Sequence, residues 1–361
     1  MEISFVIPVY NGADYIEKCL ESILSQPENS FEVLVIDDCS TDTTPDKLHI
    51  YEEKDRRVRV IRNPENRLVG YCRNIGINNA YGTYLWFVDA DDWIDPDSVS
   101  HILKIILANK EQEVLSFGYA EHYQDKTTSI IYKIPVPGPH TKEPPLLNFM
   151  LIRKGYTSMP FSYLFRRDFL ISNSLYFPEG IFFEDLLFMG KVCYFAKRLK
   201  LIPRVFYNYN RTNMNSITLH HSKKKIMDLL TVYEMLLSFL RNRRILTKYQ
   251  GLLAYRFLVY GLPRCYRMFM RLARKERKDQ ALRDVLLKYR RSHLMQLKAI
   301  KHAYVLVYRY SGNDPFQKME LIANLRYLTT IKCALRIVEL KCDILLIFRK
   351  VQKLLLATSV H

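Results

Sequence analysis

Three carboxylates, Asp89, Asp91 and Asp92, follow directly on the apolar run Tyr84-Leu85-Trp86-Phe87-Val88. Such a run suits a strand covered on both faces of a parallel α/β sheet. The acids then fall just past its carboxyl end, where open α/β sheets bind ligands. Carboxylates this close repel one another unless a cation, or donors from a ligand, offset the charge. Hard oxygen ligands on a loop suit Mg2+ or Mn2+, ions that keep some waters and also hold substrate phosphates. Taken alone, the Asp-x-Asp pattern favours a plainer reading, in which Asp92 caps the next helix and Asp89 and Asp91 are solvated. The surrounding chain reverses that preference.

Two further polar clusters occur where earlier strands end. Ile3-Ser4-Phe5-Val6-Ile7 closes in Pro8-Val9-Tyr10-Asn11-Gly12 and is followed by a helical pattern of Ile16, Cys19, Leu20, Ile23 and Leu24. Phe31-Glu32-Val33-Leu34-Val35-Ile36 ends in Asp37-Asp38-Cys39-Ser40-Thr41-Asp42, where Ser, Thr and Pro45 signal a helix start. Val58-Arg59-Val60-Ile61 is a third strand, and the spacing predicts a helix over 66–80 before the strand at Tyr84. Strand and helix in alternation specify a parallel sheet with right-handed crossovers. Polar residues at three strand ends then converge on one edge of that sheet.

With those residues in place, the chain resembles family 2 glycosyltransferases of the GT-A fold, of the bacterial capsule or O-antigen type. The resemblance rests on Phe5-Val6-Ile7-Pro8-Val9-Tyr10-Asn11, Val35-Ile36-Asp37-Asp38-Cys39-Ser40-Thr41-Asp42, Cys72-Arg73-Asn74-Ile75-Gly76 and Val88-Asp89-Ala90-Asp91-Asp92, in that order. Phe177-Pro178-Glu179-Gly180-Ile181-Phe182-Phe183-Glu184-Asp185-Leu186 is similar to the same family's acceptor-side segment. The likeness fades after Asn215-Ser216-Ile217-Thr218. It implies a nucleotide pocket lined by Pro8, Tyr10, Asn11 and Ala90, with Asp38 accepting the N3–H of a uracil-like base. It also implies that Asn66 and Arg73 border the nucleotide and its diphosphate, that Asp89 holds the ribose and helps with the metal, and that Asp91 binds Mn2+ or Mg2+. Asp185 becomes the catalytic base, with Glu184 its structural neighbour or the base itself. Two positions depart from the usual pattern: Cys72 stands where Ala is common, and Leu68 where a small residue is frequent.

An inverting transfer is a single displacement at the anomeric carbon, so a carboxylate must take the acceptor proton opposite the leaving group. The leaving nucleoside diphosphate develops charge that a metal on Asp91 offsets. Acids at 184 and 185 also suit a plain helix N-terminus, and the apolar Leu186, Leu187, Met189, Val192 and Phe195 do continue a helical pattern. Capping and catalysis are compatible there. The absence of a Gln-x-x-Arg-Trp segment after Asp185 points to single additions rather than processive synthesis. The rival enzyme class, a nucleotidyltransferase, needs a basic or Gly-rich triphosphate loop, and Pro8-to-Gly12 has no Lys or Arg. The rival outside enzymes is a catalytically silent scaffold or nucleic-acid-binding protein, for which no zinc-finger, recognition-helix or RNP-like signature is present.

Charge divides the chain. The whole carries +17, but residues 215–361 hold 30 Lys and Arg against 9 Asp and Glu. That composition divides the protein into a GT-A domain over 1–218 and a basic, mainly helical region over 219–361. Ile226, Leu229, Leu230, Tyr233, Leu236 and Leu237 recur at helical spacing there, and no run long and apolar enough to span a membrane exists. Mixed cationic and apolar helices suit either a solvated face or an anionic membrane surface. The seven cysteines are scattered without Cys-x-x-Cys, and Met1-Glu2 leads straight into a strand. Both features predict a reducing, cytoplasmic setting, peripheral to the membrane at most. His220 and His221 as metal ligands, Trp93 as a sugar platform and Arg211 beside the diphosphate are weaker candidates, each with an ordinary packing or surface alternative. The expected partners are a UDP-linked sugar and a glycan or lipid-linked saccharide, with nucleic acid kept only as the rival reading.

Overall fold

The structure, a computed structural model, describes residues 1–108, 111–130, 158–214, 216, 220–247, 261–272 and 279–295, with single positions at 253, 257 and 276. The chain divides into two compact units, Met1–Ser292 and His293–His361. Everything below concerns the first. Its elements run β1 (Ile3–Val9), α1 (Ile16–Leu24), β2 (Phe31–Asp37), α2 (Thr44–Lys54), β3 (Val58–Arg62), α3 (Leu68–Asn79), β4 (Tyr84–Phe87), β5 (Trp93–Ile94), α4 (Ser98–Ala108), β6 (Val114–His122) and β7 (Thr127–Ile130). After a 3-10 turn at Pro160–Ser162 come β8 (Tyr163–Arg166), α5 (Arg167–Ser172), α6 (Glu184–Phe195), β9 (Leu199–Asn210), α7 (Lys223–Asn242) and α8 (Leu262–Arg271). α9 begins at Gln280 and runs to Met295.

A single nine-stranded sheet has the order β3-β2-β1-β4-β8-β6-β9-β5, with β7 paired to β6. β3, β2, β1 and β4 are mutually parallel, the half legible from the strand–helix alternation. Beyond β4 the sheet is mixed: β8 runs antiparallel to both neighbours, β6 and β9 are parallel, and β5 returns antiparallel to β9. The chain leaves β4 at Phe87 and re-enters the sheet at Trp93 beside β9, so the acidic residues lie on the connection between these strands.

All residues of β1, β2 and β4 are buried, as continuous apolar runs require when helices cover both faces. Alternation assigns each face its helices. Phe5, Ile7, Val33, Val35 and Trp86 pack with Ile16, Cys19, Leu20 and Ile23 of α1 and Val99, Ile102 and Ile106 of α4. Leu34 and Ile36 turn the other way onto Cys72 of α3. Cys72 is therefore a packing residue, as its departure from Ala suggested. On the α3 face, Phe87 meets Phe177 edge-on at 5.3 Å, and Phe177 stacks on Phe188 of α6 at 3.8 Å between centroids. α7, capped by Ser222 through the Lys225 amide at 3.2 Å, packs on α6, and α8 packs on α7. The described helices of the basic region thus continue the layer formed by α6. Residues 296–361 of that region lie outside the described residues.

α3 lies against β1 at Gly76, where an added Cβ would sit 2.2 Å from Val6 Cγ1 and 3.1 Å from Val6 Cβ. Val6 is β-branched and fully buried, so it cannot give way. Gly76→Ala should destabilise the protein by about 1–3 kcal/mol through overpacking, despite the better helix propensity of alanine. Urea titration measures this, and adding Val6→Ala should restore part of the loss. If Gly76→Ala alone is neutral, α3 does not press on β1 as described.

Candidate active site

The ends of β1 and β2 are tied together through side-chain oxygens. The Asn11 amide donates to Ser40 Oγ at 2.9 Å, Thr41 N–H donates to Asn11 Oδ1 at 2.8 Å, and Gly12 N–H donates to Thr44 Oγ1 at 2.9 Å. Asn11 has φ +50°, a left-handed conformation that Asn tolerates better than most residues. Pro8 is buried in β1 opposite Ile36, whereas Tyr10 is 49% exposed. Ala90 packs onto the α1 side of the core, its Cβ near Gly12. These residues therefore share one edge of the sheet.

Asp38 is buried and fully engaged. Oδ1 accepts from Asn63 Nδ2 at 2.8 Å and the Arg67 amide at 3.0 Å, while Oδ2 accepts from the Arg67 and Leu68 amides at 3.1 and 2.8 Å. It thus caps the start of α3, satisfying N–H groups that a helix leaves without partners. A base N–H at Asp38 would have to displace one of these donors. Asn66 is exposed, its Oδ1 only 3.4 Å from the Leu68 amide. Leu68 adopts φ +67°, which explains why a small residue is frequent there.

The three acids of the β4–β5 connection have separate fates. Asp92 is 1% exposed and holds β9: Tyr207 Oη donates to its Oδ2, and the Asn210 amide donates to Oδ1 at 2.7 Å. It caps no helix. Burial, then the charges of Asp91 and Asp89, push its pKa well above the usual carboxylate range. Burial, followed by the charge of Asp89, also raises Asp91, whose Oδ2 accepts from Asn213 Nδ2 at 2.7 Å. The Asp89 amide donates to Tyr207 Oη at 3.1 Å, fixing the turn from below. Neither Asp89 nor Asp91 is the freely solvated carboxylate of the plainer reading.

Asp89 reaches the acceptor-side acids through one residue. Arg73, on α3 and 5% exposed, donates from Nη2 to Asp89 Oδ1 at 2.8 Å and from Nη1 to Glu184 Oε1 at 2.7 Å. Its Nε is buried without a hydrogen-bond partner. Gly70, one turn earlier, lets Glu184 approach: an added Cβ would meet Pro178 O at 2.6 Å and Glu184 Cγ at 3.3 Å. Glu184 and Asp185 open α6, after Phe183 at φ +65°. Burial raises Glu184 and Arg73 opposes the shift; burial likewise raises Asp185, opposed first by the Ser158 hydroxyl, which donates to its Oδ2 at 2.8 Å. Asp185 Oδ1 accepts from the Leu186 amide at 2.9 Å. Glu184 is thus committed to the arginine, and Asp185 is the acid held by weaker neutral donors.

Several sequence candidates fall outside this centre. Trp93 is engaged within the protein, with Lys18 Nζ 3.0 Å from its ring centroid and the His122 ring at 4.6 Å, contacts that suit a packing residue. Arg211 pairs with Glu121 Oε1 at 2.5 Å and lies over Tyr209. His221 meets Arg271 at 3.1 Å, and cations around it suit no metal ligand. Ser158, Tyr207 and Asn213, which orient the acids, gave no sequence signal because each is separated from its partner by a long stretch of chain.

Among the described residues, no group of three or more His, Cys, Asp and Glu side chains is placed to hold a metal. Mg2+ and Mn2+ working on phosphates need only one or two protein carboxylates. Among the described residues, Asp89 Oδ2 and Asp91 Oδ1 accept from no other residue's side chain, and two hard, mutually repelling oxygens form a donor set that fits such an ion.

A half-parallel, half-mixed sheet with an acidic connection after β4 and an acid pair opening α6 is the architecture of the GT-A fold. The Glycosyl transferase family 2 profile matches residues 4–170, a little under half of the chain, and over that stretch the chain is similar to this glycosyltransferase family. It is 29% identical over 252 residues to the putative glycosyltransferase EpsH of Bacillus subtilis, covering 69% of this chain and 72% of that protein. It is 30% identical over 213 residues to the poly(ribitol-phosphate) beta-N-acetylglucosaminyltransferase TarS of Staphylococcus aureus, covering 58% of this chain and 35% of TarS. The crystal structure of TarS 1–349 with UDP-GlcNAc superposes with a TM-score of 0.56 at 22% identity, covering 77% of this chain and 78% of that one, a likeness of fold.

The raised carboxyls make a stability prediction. A carboxyl whose folded pKa lies above its unfolded value favours folding below both, and that contribution is lost as pH rises through the folded pKa. The metal-free protein should therefore melt higher at pH 5 than at pH 7.5 in the contribution from Asp91 and Asp92. Asp91→Asn should raise the metal-free midpoint at pH 7.5, because it removes a like charge while Asn213 keeps an acceptor. A midpoint lowered by Asp91→Asn would contradict the repulsion described.

Proposed function

We propose that this protein is an inverting, non-processive glycosyltransferase that moves a sugar from a UDP-linked donor to a hydroxyl of a glycan or lipid-linked saccharide. The observation that carries this reading is the Arg73 bridge, which holds the donor-side Asp89 and the acceptor-side Glu184 on one guanidinium. Donor and acceptor ends of the site are thereby fixed relative to each other, the positioning that a single displacement needs.

Asp185 is the base. It takes the acceptor proton as the hydroxyl attacks the anomeric carbon, and its raised pKa brings it nearer the working pH than an ordinary Asp. Glu184 anchors Arg73 and does not titrate in the step. Asp91 with Asp89 would hold Mn2+ or Mg2+, which when bound stabilises charge on the departing diphosphate. Tyr10, Asn11 and Pro8 line the nucleotide site, with Ala90 and Asn66 at its border. Asp38 serves the base indirectly, by fixing the Arg67–Leu68 amides and the start of α3, or directly by exchanging one of those donors. A uridine donor carrying an N-acetylhexosamine is supported by the printed activity of TarS and by UDP-GlcNAc in its complex. We assign residues 1–218 to this chemistry and residues 219–361 to contact with an anionic membrane surface from the cytoplasmic side. The charge of that region supports the assignment, and no described helix is long and apolar enough to cross a membrane.

Two measurements test the reading. Calorimetric titration should show that UDP binding by the wild type needs Mn2+ or Mg2+ and that Asp91→Asn abolishes this dependence; metal-independent UDP affinity equal in both proteins would remove the metal from the account. Asp185→Asn keeps an oxygen for Ser158 and the Leu186 amide, so it should bind UDP as the wild type does. It should lose about 10²–10⁴ in transfer rate for want of the base. Unchanged turnover would make Asp185 a helix cap and put the base elsewhere.

A further inference from the structure

The loop that leads into Glu184 and Asp185 is held from two sides. At its start the buried Asn74 of α3 accepts from the Phe177 amide at 2.9 Å, and its Nδ2 donates to Phe177 O at 2.9 Å and Glu179 Oε1 at 3.0 Å. At its end the partners come from α7, beyond the last of the sequence motifs. Asp228 Oδ2 accepts from the Phe182 amide at 3.0 Å, and Lys224, one turn earlier on the same helix, donates to that oxygen at 2.6 Å. Lys224 Nζ also donates to Gly180 O at 2.8 Å. Asp228 is buried, a position its residue type takes only when paired.

The loop cannot make this turn from its own residues. Gly180 has φ +71° and Phe183 has φ +65°, and a bulky side chain adopts the left-handed region only where its surroundings impose it. Phe183 also stands immediately before α6 and supplies no capping side chain to the helix that carries the acids. The imposed turn and the missing cap both call for a partner from outside the segment. The Asp228 bond falls on the residue just before Phe183, and the Arg264 guanidinium of α8 lies 4.4 Å from the Phe183 ring centroid.

We infer that Asp228 is a positioning residue for the acid pair: through the Phe182 amide it holds Phe183 in its left-handed turn, which aims Glu184 at Arg73 and Asp185 at the acceptor hydroxyl. Lys224 keeps the Asp228 carboxylate in place and ties Gly180 to the same helix. Asp228 touches neither donor nor acceptor and takes no proton. The inference rests on the glycosyltransferase reading above and adds to it a residue from the basic region. The first basic helix thereby supports the chemistry, alongside the membrane role proposed for that region.

The test uses the full chain with Mn2+ and follows UDP released from UDP-GlcNAc, UDP-glucose and UDP-galactose. Release reports attack by water, which needs the same base as attack by an acceptor hydroxyl. Rates are scaled to the UDP-binding stoichiometry from calorimetry, so that any unfolded fraction drops out. Asp228→Ala should lose about 10²-fold in kcat, the scale of a small misplacement of reacting groups, with donor KM and UDP affinity unchanged. Asp228→Asn keeps an oxygen for the Phe182 amide and should retain most of the rate. Lys223→Gln, which removes an α7 ion pair with Asp279 away from the loop, should leave the rate as it is. In the Asp185→Asn background, Asp228→Ala should cost nothing further, because it acts through Asp185. Amide hydrogen exchange gives a readout without turnover: Asp228→Ala should speed exchange at Phe182 to Leu186 and leave β1 protected. Wild-type turnover in Asp228→Ala, equal losses in the two backgrounds, an Asn variant as slow as the Ala variant, or unchanged exchange overturns the positioning role and leaves the transferase reading intact. A wild type that binds no UDP and releases none from any of the three donors would instead sink the transferase reading, and the positioning role with it.

Discussion

A buried arginine between two carboxylates organises this site. Arg73 cannot shed its proton, so a position 95% removed from water has to be compensated by acids. Asp89 comes from the end of β4 and Glu184 from the start of α6, 111 residues away from Arg73 in sequence. The chain around each is arranged to permit the meeting: Gly70 lets Glu184 close on α3, and Phe183 takes a left-handed turn to aim it. Held in this way through both Nη atoms, the guanidinium fixes the distance between Asp89 and Glu184. Glu184 is engaged by Arg73, whereas its neighbour Asp185 is held only by the Ser158 hydroxyl and the Leu186 amide, and for that reason we propose Asp185 as the base.

The acidic connection after β4 follows the opposite logic. Asp89, Asp91 and Asp92 are drawn together by Tyr207, Asn210 and Asn213 at the end of β9, against their mutual repulsion. Such an arrangement lowers the stability of the metal-free fold and makes the site receptive to a cation, a familiar exchange of stability for function. The mixed half of the sheet exists in part to supply this clamp. β9 runs beside β6 and β5, so its carboxyl end lies under the acids that β4 delivers.

Much of this was legible from local pattern. The buried runs at Ile3, Phe31 and Tyr84 specified the parallel strands, and the polar residues at their ends do meet along one edge of the sheet. The spacing also placed α3 close to its observed limits. What could not be read were pairings across long stretches of chain. Arg73 was expected to border the nucleotide and its diphosphate; that its guanidinium also ties Asp89 to Glu184 could not be read from the sequence. Asp92 suited a helix cap because caps are local, yet its partners lie on a strand more than a hundred residues on. Trp93 and Arg211 looked available for ligands only because the residues that occupy them, Lys18, His122 and Glu121, are remote in sequence. The helices after 219 read as a separate basic layer, and the grip of Asp228 on the Phe182 amide had no sequence signature at all.

The central claim is that Asp89 and Glu184 are coupled through Arg73. A double-mutant cycle with Asp89→Asn and Glu184→Gln, followed by urea unfolding of the metal-free protein, measures that coupling directly. Either single change leaves the arginine one hydrogen-bonded carboxylate, whereas the pair leaves it none. The account predicts that the double variant loses about 0.5–3 kcal/mol more than the sum of the singles. Losses that add within about 0.3–0.5 kcal/mol would contradict it.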